Sequence, residues 1–270
     1  MTLLNETKDR QSKAAAVFVL ALATATLPSA PATARAAGEL RCAGRPPTIV
    51  GTRGADVLRG TSGADVVVAR GGNDTIYGLG GADIICAGPG RDRVFGGRGD
   101  DLAVGGSGND TFLGGDGDDQ FRGGNGGDQG SGGPGDDRLV GGQGYDSLSG
   151  DRGADYVDLG PTRTEQWGYG GAGADTLVGG SGRDMLNGML GPDRLVGRGG
   201  ADMLWGGHID GHDNDSKPNT LLGGDGDDAL FGDEGDDTIR GGPGNDYADG
   251  RGDQSGDRCV DVETAVDCEL

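Results

Sequence analysis

Large apolar residues recur every nine positions along most of this sequence. Residues 96–122, for example, read GGRGDDLAV, GGSGNDTFL and GGDGDDQFR. Glycine and polar residues dominate the first six positions of each nonapeptide, and a short run with an apolar middle residue closes it. Because side chains alternate in direction along a strand, that middle residue points away from its two neighbours. The pattern predicts short strands that each bury one side chain, separated by six-residue turns.

The predicted inward position lies two residues after an aspartate and is large and apolar in sixteen of nineteen repeats. The remaining three repeats have Ala103, Gly130 and Ala248 there, so Gly130 leaves its core position empty. A core position with so regular a period indicates that the repeats stack on one another. The sixteen predicted core residues are Leu58, Val67, Ile76, Ile85, Val94, Phe112, Phe121, Leu139, Leu148, Val157, Leu177, Leu186, Leu195, Leu204, Leu230 and Ile239.

An aspartate occupies the sixth position of every repeat, always two residues after a glycine. The residue five before it is glycine in seventeen repeats, with Ala69 and Ala87 as the exceptions. The phase holds for twelve repeats, resumes for four and resumes again for three. The nineteen aspartates are Asp56, Asp65, Asp74, Asp83, Asp92, Asp101, Asp110, Asp119, Asp128, Asp137, Asp146, Asp155, Asp175, Asp184, Asp193, Asp202, Asp228, Asp237 and Asp246.

This repeat predicts an all-β fold, a parallel β-roll (a β-helix solenoid). Glycine accepts positive φ and permits tight turns, so a turn, a strand, a second turn and a second strand make one coil of eighteen residues. We expect the roll at residues 51–249, between an N-terminal cap at 38–50 and a C-terminal cap at 250–270.

Two intervals between aspartates differ from nine, with lengths of 20 and 26 residues. We interpret them as irregular turns near residues 158–170 and 206–219 within one continuous solenoid. Asn219 lies nine residues before Asp228, which indicates a degenerate repeat.

The composition requires something besides a core to hold the coils together. Glycine accounts for 62 of 270 residues and aromatic residues for 4%, and one apolar residue per nine does not offset the entropy lost on ordering such a chain. A collagen helix is excluded because the glycine period is nine rather than three.

The net charge is −21, and half of the 38 aspartates stand at the sixth position. Stacked carboxylates repel one another without counter-ions, and flexible turns rich in carboxylate and carbonyl oxygen suit Ca²⁺ better than Mg²⁺. We therefore predict Ca²⁺ bound by the nineteen aspartates, with weaker sites at Asp56 and Asp65, whose repeats lack the second glycine. A solvated acidic face is the alternative. So acidic a surface does not favour nucleic acid as a partner.

Residues 1–37 have the pattern of a secretory signal peptide: basic residues, an apolar run from Ala14 to Leu27 and small residues near Ala34 to Ala37. A retained membrane anchor is the alternative, although the run is short for a bilayer. Cleavage after residue 36 would bring the net charge from −21 to −23, because four basic and two acidic residues are lost. We expect a secreted, extracellular protein with no membrane span in the mature chain.

The four cysteines of an exported chain favour two disulfides. Cys42 and Cys86 lie in the first coils, and Cys259 and Cys268 lie beyond the last repeat. Roughly ten coils at about 4.8 Å each would separate the two ends. We therefore pair Cys42 with Cys86 and Cys259 with Cys268.

Signals for other chemistry are weak. The sequence contains no H-E-x-x-H and no G-x-S-x-G motif. His208, Asp210, His212, Asp213 and Asp215 could bind a transition metal, but a solvated loop is the better interpretation because their spacing matches no established site. The two Arg-Gly-Asp tripeptides, at residues 98–100 and 251–253, are expected by-products of a Gly-x-Asp repeat.

The glycine pattern, the aspartate phase and the core position together resemble the RTX, or haemolysin-type, calcium-binding repeat proteins over residues 51–249. The resemblance implies a parallel β-roll with Ca²⁺ between stacked turns, most securely at Asp101, Asp110, Asp119, Asp137 and Asp146, whose repeats keep all three glycines. With its N-terminal leader and cysteine-bearing end, the chain is most similar to stand-alone secreted calcium-binding proteins of actinobacteria. The biological role and the protein or cell-surface partner are not implied.

Two functional hypotheses follow. The first is a non-enzymatic, secreted calcium-binding protein that folds on binding Ca²⁺ and acts as an extracellular structural or interaction module. The second is a relative of an RTX hydrolase or toxin with its activity in the irregular loops. The presence of only two histidines favours the first.

Overall fold

A computed structural model describes residues 40–208, 216–251 and 256–269, and this part of the chain contains strands but no helix. The predicted signal peptide at 1–37 and most of the histidine loop lie outside it. The strands in the first half of the chain are β1 (Ile49–Val50), β2 (Val57–Arg59), β3 (Val66–Val68), β4 (Thr75–Tyr77), β5 (Ile84–Pro89), β6 (Arg93–Arg98), β7 (Leu102–Ser107), β8 (Thr111–Asp116), β9 (Gln120–Asn125), β10 (Gln129–Pro134), β11 (Arg138–Gln143) and β12 (Ser147–Arg152). The later strands are β13 (Tyr156–Asp158), β14 (Gln166–Ala172), β15 (Thr176–Val178), β16 (Asp184–Leu190), β17 (Arg194–Gly199), β18 (Met203–Trp205), β19 (Thr220–Asp225), β20 (Ala229–Phe231), β21 (Thr238–Arg240), β22 (Tyr247–Asp249), β23 (Arg258–Val260) and β24 (Thr264–Val266).

The strands form two parallel twelve-stranded sheets, one from the odd-numbered strands and one from the even-numbered strands. Each strand pairs with the strand two further along the chain, so the chain coils and places one strand in each sheet per turn. In the regular region the register is eighteen residues, as in the pairing of Val94 with Phe112. The predicted parallel β-solenoid is confirmed, with about twelve coils.

The core is a single file of side chains enclosed between the two sheets. The predicted inward residues are buried, except that Leu58 in the first coils is only partly buried. Phe112 and Phe121 stack with ring centroids 4.9 Å apart. A Cβ at Gly130 would lie 2.8 Å from Cδ2 of Leu148 and 3.2 Å from Cδ1 of Phe121. The expectation of an empty position at Gly130 was wrong, because its large neighbours fill that space.

Both irregular turns interrupt the register without interrupting the sheets. Leu148 pairs with Gly168, twenty residues later, and Leu195 pairs with Leu221, twenty-six residues later. Each strand after an irregular turn returns to parallel pairing.

Strand pairing extends to both ends of the described chain. β1 pairs with β3, and β23 and β24 pair with β21 and β22. The predicted disulfides are confirmed, Cys42 with Cys86 and Cys259 with Cys268. Cys259 also occupies the inward position of its strand and is buried in the core. No helix in the described ranges is long and apolar enough to cross a membrane.

Candidate metal centre

The coil places the sixth-position aspartates in two columns, one along each edge where the chain passes between the sheets. A column here is the set of turn residues that follow one another at the same edge from coil to coil, most of them joined by hydrogen bonds and Gln166 and Asp184 by strand register. The first column contains Asp56, Asp74, Asp92, Asp110, Asp128, Asp146, Asp184, Asp202, Asp228 and Asp246. The second contains Asp65, Asp83, Asp101, Asp119, Asp137, Asp155, Asp175, Asp193 and Asp237. All nineteen predicted residues therefore belong to one of two linear arrays.

One oxygen of most of these carboxylates, Oδ1, accepts a hydrogen bond from the preceding coil. The backbone N–H of Asp92 donates to Oδ1 of Asp110 at 2.9 Å, and the N–H of Asp110 donates to Oδ1 of Asp128 at 2.8 Å. The same bond joins aspartates of adjacent coils in both columns at 2.7 to 2.9 Å. The exceptions are at Gln166, which stands between Asp146 and Asp184, and at Asn219, which stands between Asp193 and Asp237. This bond fixes the orientation of the carboxylate and leaves its second oxygen for another role.

The second oxygen, Oδ2, is buried and accepts no hydrogen bond in most turns. A buried acceptor without a partner is costly, and more so when it is charged. A run of such atoms at one repeat position is the arrangement expected of oxygen ligands to a cation. The aspartates that share this feature are Asp74, Asp83, Asp92, Asp101, Asp110, Asp119, Asp128, Asp137, Asp155, Asp175, Asp202, Asp228 and Asp246.

In most turns Oδ2 lies close to a backbone carbonyl oxygen of the next coil. A Cβ on Gly170 would lie 2.5 Å from Oδ2 of Asp175 and 2.6 Å from the carbonyl oxygen of Gly188. No side chain fits there, which explains the glycine five residues before the aspartate. Two oxygens that face one another with no hydrogen between them repel, and a cation removes that repulsion.

Burial raises the pKa of these carboxyls, because the charged form loses its hydration. Backbone hydrogen bonds oppose the shift, and neighbouring carboxylates add to it. The pKa of Asp101 and of Asp137 rises to about 7, and that of Asp202 to about 8. Without a cation, a charged column is therefore unfavourable at neutral pH.

The donor set suits a hard cation. No three His, Cys, Asp or Glu side chains come close enough together to hold a metal ion within residues 40–208, 216–251 and 256–269. An ion in these turns would therefore combine carboxylate oxygen with backbone carbonyls, and all-oxygen coordination in flexible loops is typical of Ca²⁺. The buried Oδ2 atoms and the glycine-lined space beside them fit that ion.

Comparison with known families agrees with this geometry. A family model described as four copies of the RTX calcium-binding nonapeptide repeat matches residues 48–75, 59–94, 95–129, 131–161, 169–186, 178–208 and 215–253. These matches cover more than half of the chain. The chain belongs to the RTX calcium-binding repeat family. Ca²⁺ is therefore the expected ligand of its turns. No curated protein matches the chain.

The RTX columns include three residues that the aspartate phase did not identify and one, Asn219, that it indicated as a degenerate repeat. Gln166 and Asn219 occupy column positions at the two irregular turns, and Asp257 and Glu263 extend the columns at the C-terminal end. Each stands two residues before an inward position of its strand, which for Asn219 is Leu221. The sequence contained this signal: a polar residue with an inward-facing residue two positions later.

Other residues considered from the sequence do not join the columns. The described part of the RTX roll includes His208 of the histidine loop, and the rest of that cluster lies outside it. Arg98 of the first Arg-Gly-Asp tripeptide forms an ion pair with Asp116 at 3.6 Å, with 85% of its side chain exposed. An exposed pair of this kind contributes little to stability.

Proposed function

We propose that this RTX chain is a secreted module whose β-roll folds when its turns bind Ca²⁺. The observation that supports the proposal is the run of buried Oδ2 atoms without hydrogen-bond partners along both columns. The nineteen sixth-position aspartates supply the candidate ligands, and adjacent coils supply the carbonyls.

Folding and binding are coupled because no single coil contains a complete site. Oδ1 of Asp119 accepts the N–H of Asp101 from the preceding coil at 2.8 Å. On the other side, a Cβ on Gly114 would contact both Oδ2 of Asp119 and the carbonyl of Gly132 in the following coil. These groups are far apart in an unfolded chain, so the free energy of ion binding becomes free energy of folding.

An extracellular location fits both the ion and the covalent structure. Extracellular modules bind Ca²⁺ in roughly the 10⁻⁴ to 10⁻³ M range, and disulfides persist in oxidising compartments. Two disulfides close the ends of the roll. The apolar run near the N-terminus supplies the predicted export signal.

We propose a structural or interaction role rather than catalysis. The repeated residues serve to stack the coils and to present oxygen ligands, and both sheets continue through the irregular turns. A roll that is rigid with Ca²⁺ and expanded without it could act as an ion-dependent spacer or as a binding surface.

Small-angle X-ray scattering on the chain purified from culture supernatant tests the proposal. In millimolar Ca²⁺ we expect a compact rod, and in chelator an expanded chain with a larger radius of gyration. Mg²⁺ at the same concentration is the control and should not compact the chain, because it dehydrates reluctantly and requires a stricter geometry. Equal radii in Ca²⁺ and chelator would contradict the proposal, and absence of the chain from the supernatant would contradict its secretion.

A further inference from the structure

In four turns of the roll, Oδ2 of the aspartate accepts a hydrogen bond from the backbone of its own turn. In these turns the backbone N–H of the residue four positions earlier donates to that oxygen. The four bonds are Thr52 to Asp56 at 2.6 Å, Thr61 to Asp65 at 2.7 Å, Gly180 to Asp184 at 2.5 Å and Asp233 to Asp237 at 2.9 Å. We call these closed turns, because a protein hydrogen already occupies the lone pair that a cation would use.

The remaining fifteen turns, here called open turns, have a different backbone at the same position. The residue four before the aspartate has a positive φ, between 74° and 122°, in all fifteen of them and in none of the closed turns. The N–H of that residue then points along the roll, as when Gly224 donates to the carbonyl oxygen of Gly241 at 2.9 Å. The open backbone therefore directs this N–H away from Oδ2, which in a closed turn accepts it.

Each closed turn is either the first turn of its column or the first turn after an irregular one. Asp56 and Asp65 begin the two columns, Asp184 follows the irregular turn at Gln166, and Asp237 follows the one at Asn219. The repeat of Asp184, GGSGRD, keeps all three glycines. Its closure is therefore set by the preceding coil and not by its own motif.

The side-chain amide of Gln166 fills the gap between two coils at Asp146. Its Nε2 donates to Oδ2 of Asp146 at 3.2 Å and to the carbonyl oxygen of Leu159 at 2.9 Å. A Cβ on Gly141 would lie 2.5 Å from that Oδ2 and 2.7 Å from that carbonyl, so the same kinds of oxygen converge here as in the open turn of Asp175. The amide hydrogens of Gln166 thus stand where the oxygens of other turns require a cation.

We propose that the turns of Asp56, Asp65, Asp184 and Asp237 and the gap at Asp146 hold no Ca²⁺. The inference rests on calcium binding by the open turns. Ions then occupy three separate stretches: Asp74 to Asp128 and Asp202 to Asp246 in the first column, and the open turns that begin at Asp83 in the second. Protein donors replace the ion at the start of each stretch and after each irregular turn.

Counting bound Ca²⁺ per folded chain by native mass spectrometry tests this. Asp110→Asn, in an open turn, should lose at least one ion relative to the parent chain. Asp237→Asn, the same substitution in a closed turn, should keep the parent count. Both variants retain Oδ1, which accepts a backbone N–H from the preceding coil, that of Asp92 at Asp110 and that of Asn219 at Asp237, so the comparison isolates Oδ2. An equal loss of ions from both variants would overturn the inference.

Gln166→Glu tests the inference in the other direction, because it should add a calcium site rather than remove one. A carboxylate there cannot donate to Asp146, so the gap should accept one additional ion. Gln129→Glu is the matched control, because it adds the same charge on an exposed residue of β10 and should leave the count unchanged. An unchanged count for Gln166→Glu would overturn the assignment at Asp146. A parent chain that binds no Ca²⁺ would overturn the proposed function together with this inference.

Discussion

The backbone N–H of Asp101 donates to Oδ1 of Asp119, eighteen residues later, at 2.8 Å. Asp119 in turn donates its N–H to Oδ1 of Asp137 at 2.7 Å. One residue per turn thus links its coil to both neighbours and keeps its other oxygen directed at the gap between coils. The column aspartates therefore contribute both to the stability of the roll and to cation binding in its turns. The core is formed by different side chains, the inward apolar residues.

Phe112→Asp should destabilise the calcium-bound roll by several kcal/mol, because it places an unpaired charge in a dry core. Phe112 is fully buried and stacks on Phe121. Thermal unfolding in saturating Ca²⁺ measures the effect.

Leu113→Asp is the matched control for that variant. Leu113 is the next residue on β8 but points outward, with 43% of its surface exposed. It should unfold within a few degrees of the parent. Similar melting temperatures for Phe112→Asp and the parent would show that the inward assignment is wrong.

Gly130→Leu should destabilise the roll rather than fill a hole, by about 1 to 3 kcal/mol. The space above Gly130 is already occupied by Leu148 and Phe121. A leucine would force these side chains off their rotamers. Chemical denaturation in Ca²⁺ checks the prediction, and a gain in stability would mean that a cavity does exist there.

The calcium-free chain should be more ordered at low pH than at neutral pH. Burial raises the pKa of Asp101 and Asp155 to about 7 and that of Asp202 to about 8, from an ordinary value of 3.8. The folded state therefore holds more protons than the unfolded state. The stabilisation is present below pH 3.8 and is lost as pH rises through 7 to 8.

Far-ultraviolet circular dichroism on calcium-depleted protein follows this loss between pH 4 and pH 8. Saturating Ca²⁺ is the control and should reverse the trend, because ion binding requires the deprotonated carboxylate. A calcium-free β signal that grows as pH rises would contradict the account.

The sequence was sufficient to predict features that depend on one repeat at a time. Val94 and Phe112 are inward because each stands two residues after an aspartate, and the strands pair eighteen residues apart as expected. The disulfides follow from the distance between the two ends of a stacked coil. The core file and the two columns are therefore direct consequences of the period.

The closed turn at Asp184 could not be predicted from the repeat that contains it. Gly180 is a glycine, as is the corresponding residue in ten of the fifteen open turns, yet its N–H bonds to Asp184. The difference lies in the preceding coil, where the irregular turn ends at Gln166. Likewise, Gln166 reaches Asp146 only because the register increases to twenty residues there. Contacts between coils decide these sites, and they appear only once the chain is stacked.

A calcium titration followed by far-ultraviolet circular dichroism tests most directly whether the ions fold the roll. The mature chain with intact disulfides should be mostly disordered in chelator and should gain β-structure cooperatively as Ca²⁺ approaches roughly 10⁻⁴ to 10⁻³ M. The same β spectrum at every calcium concentration would contradict the account, because the coils would then stack without the ions.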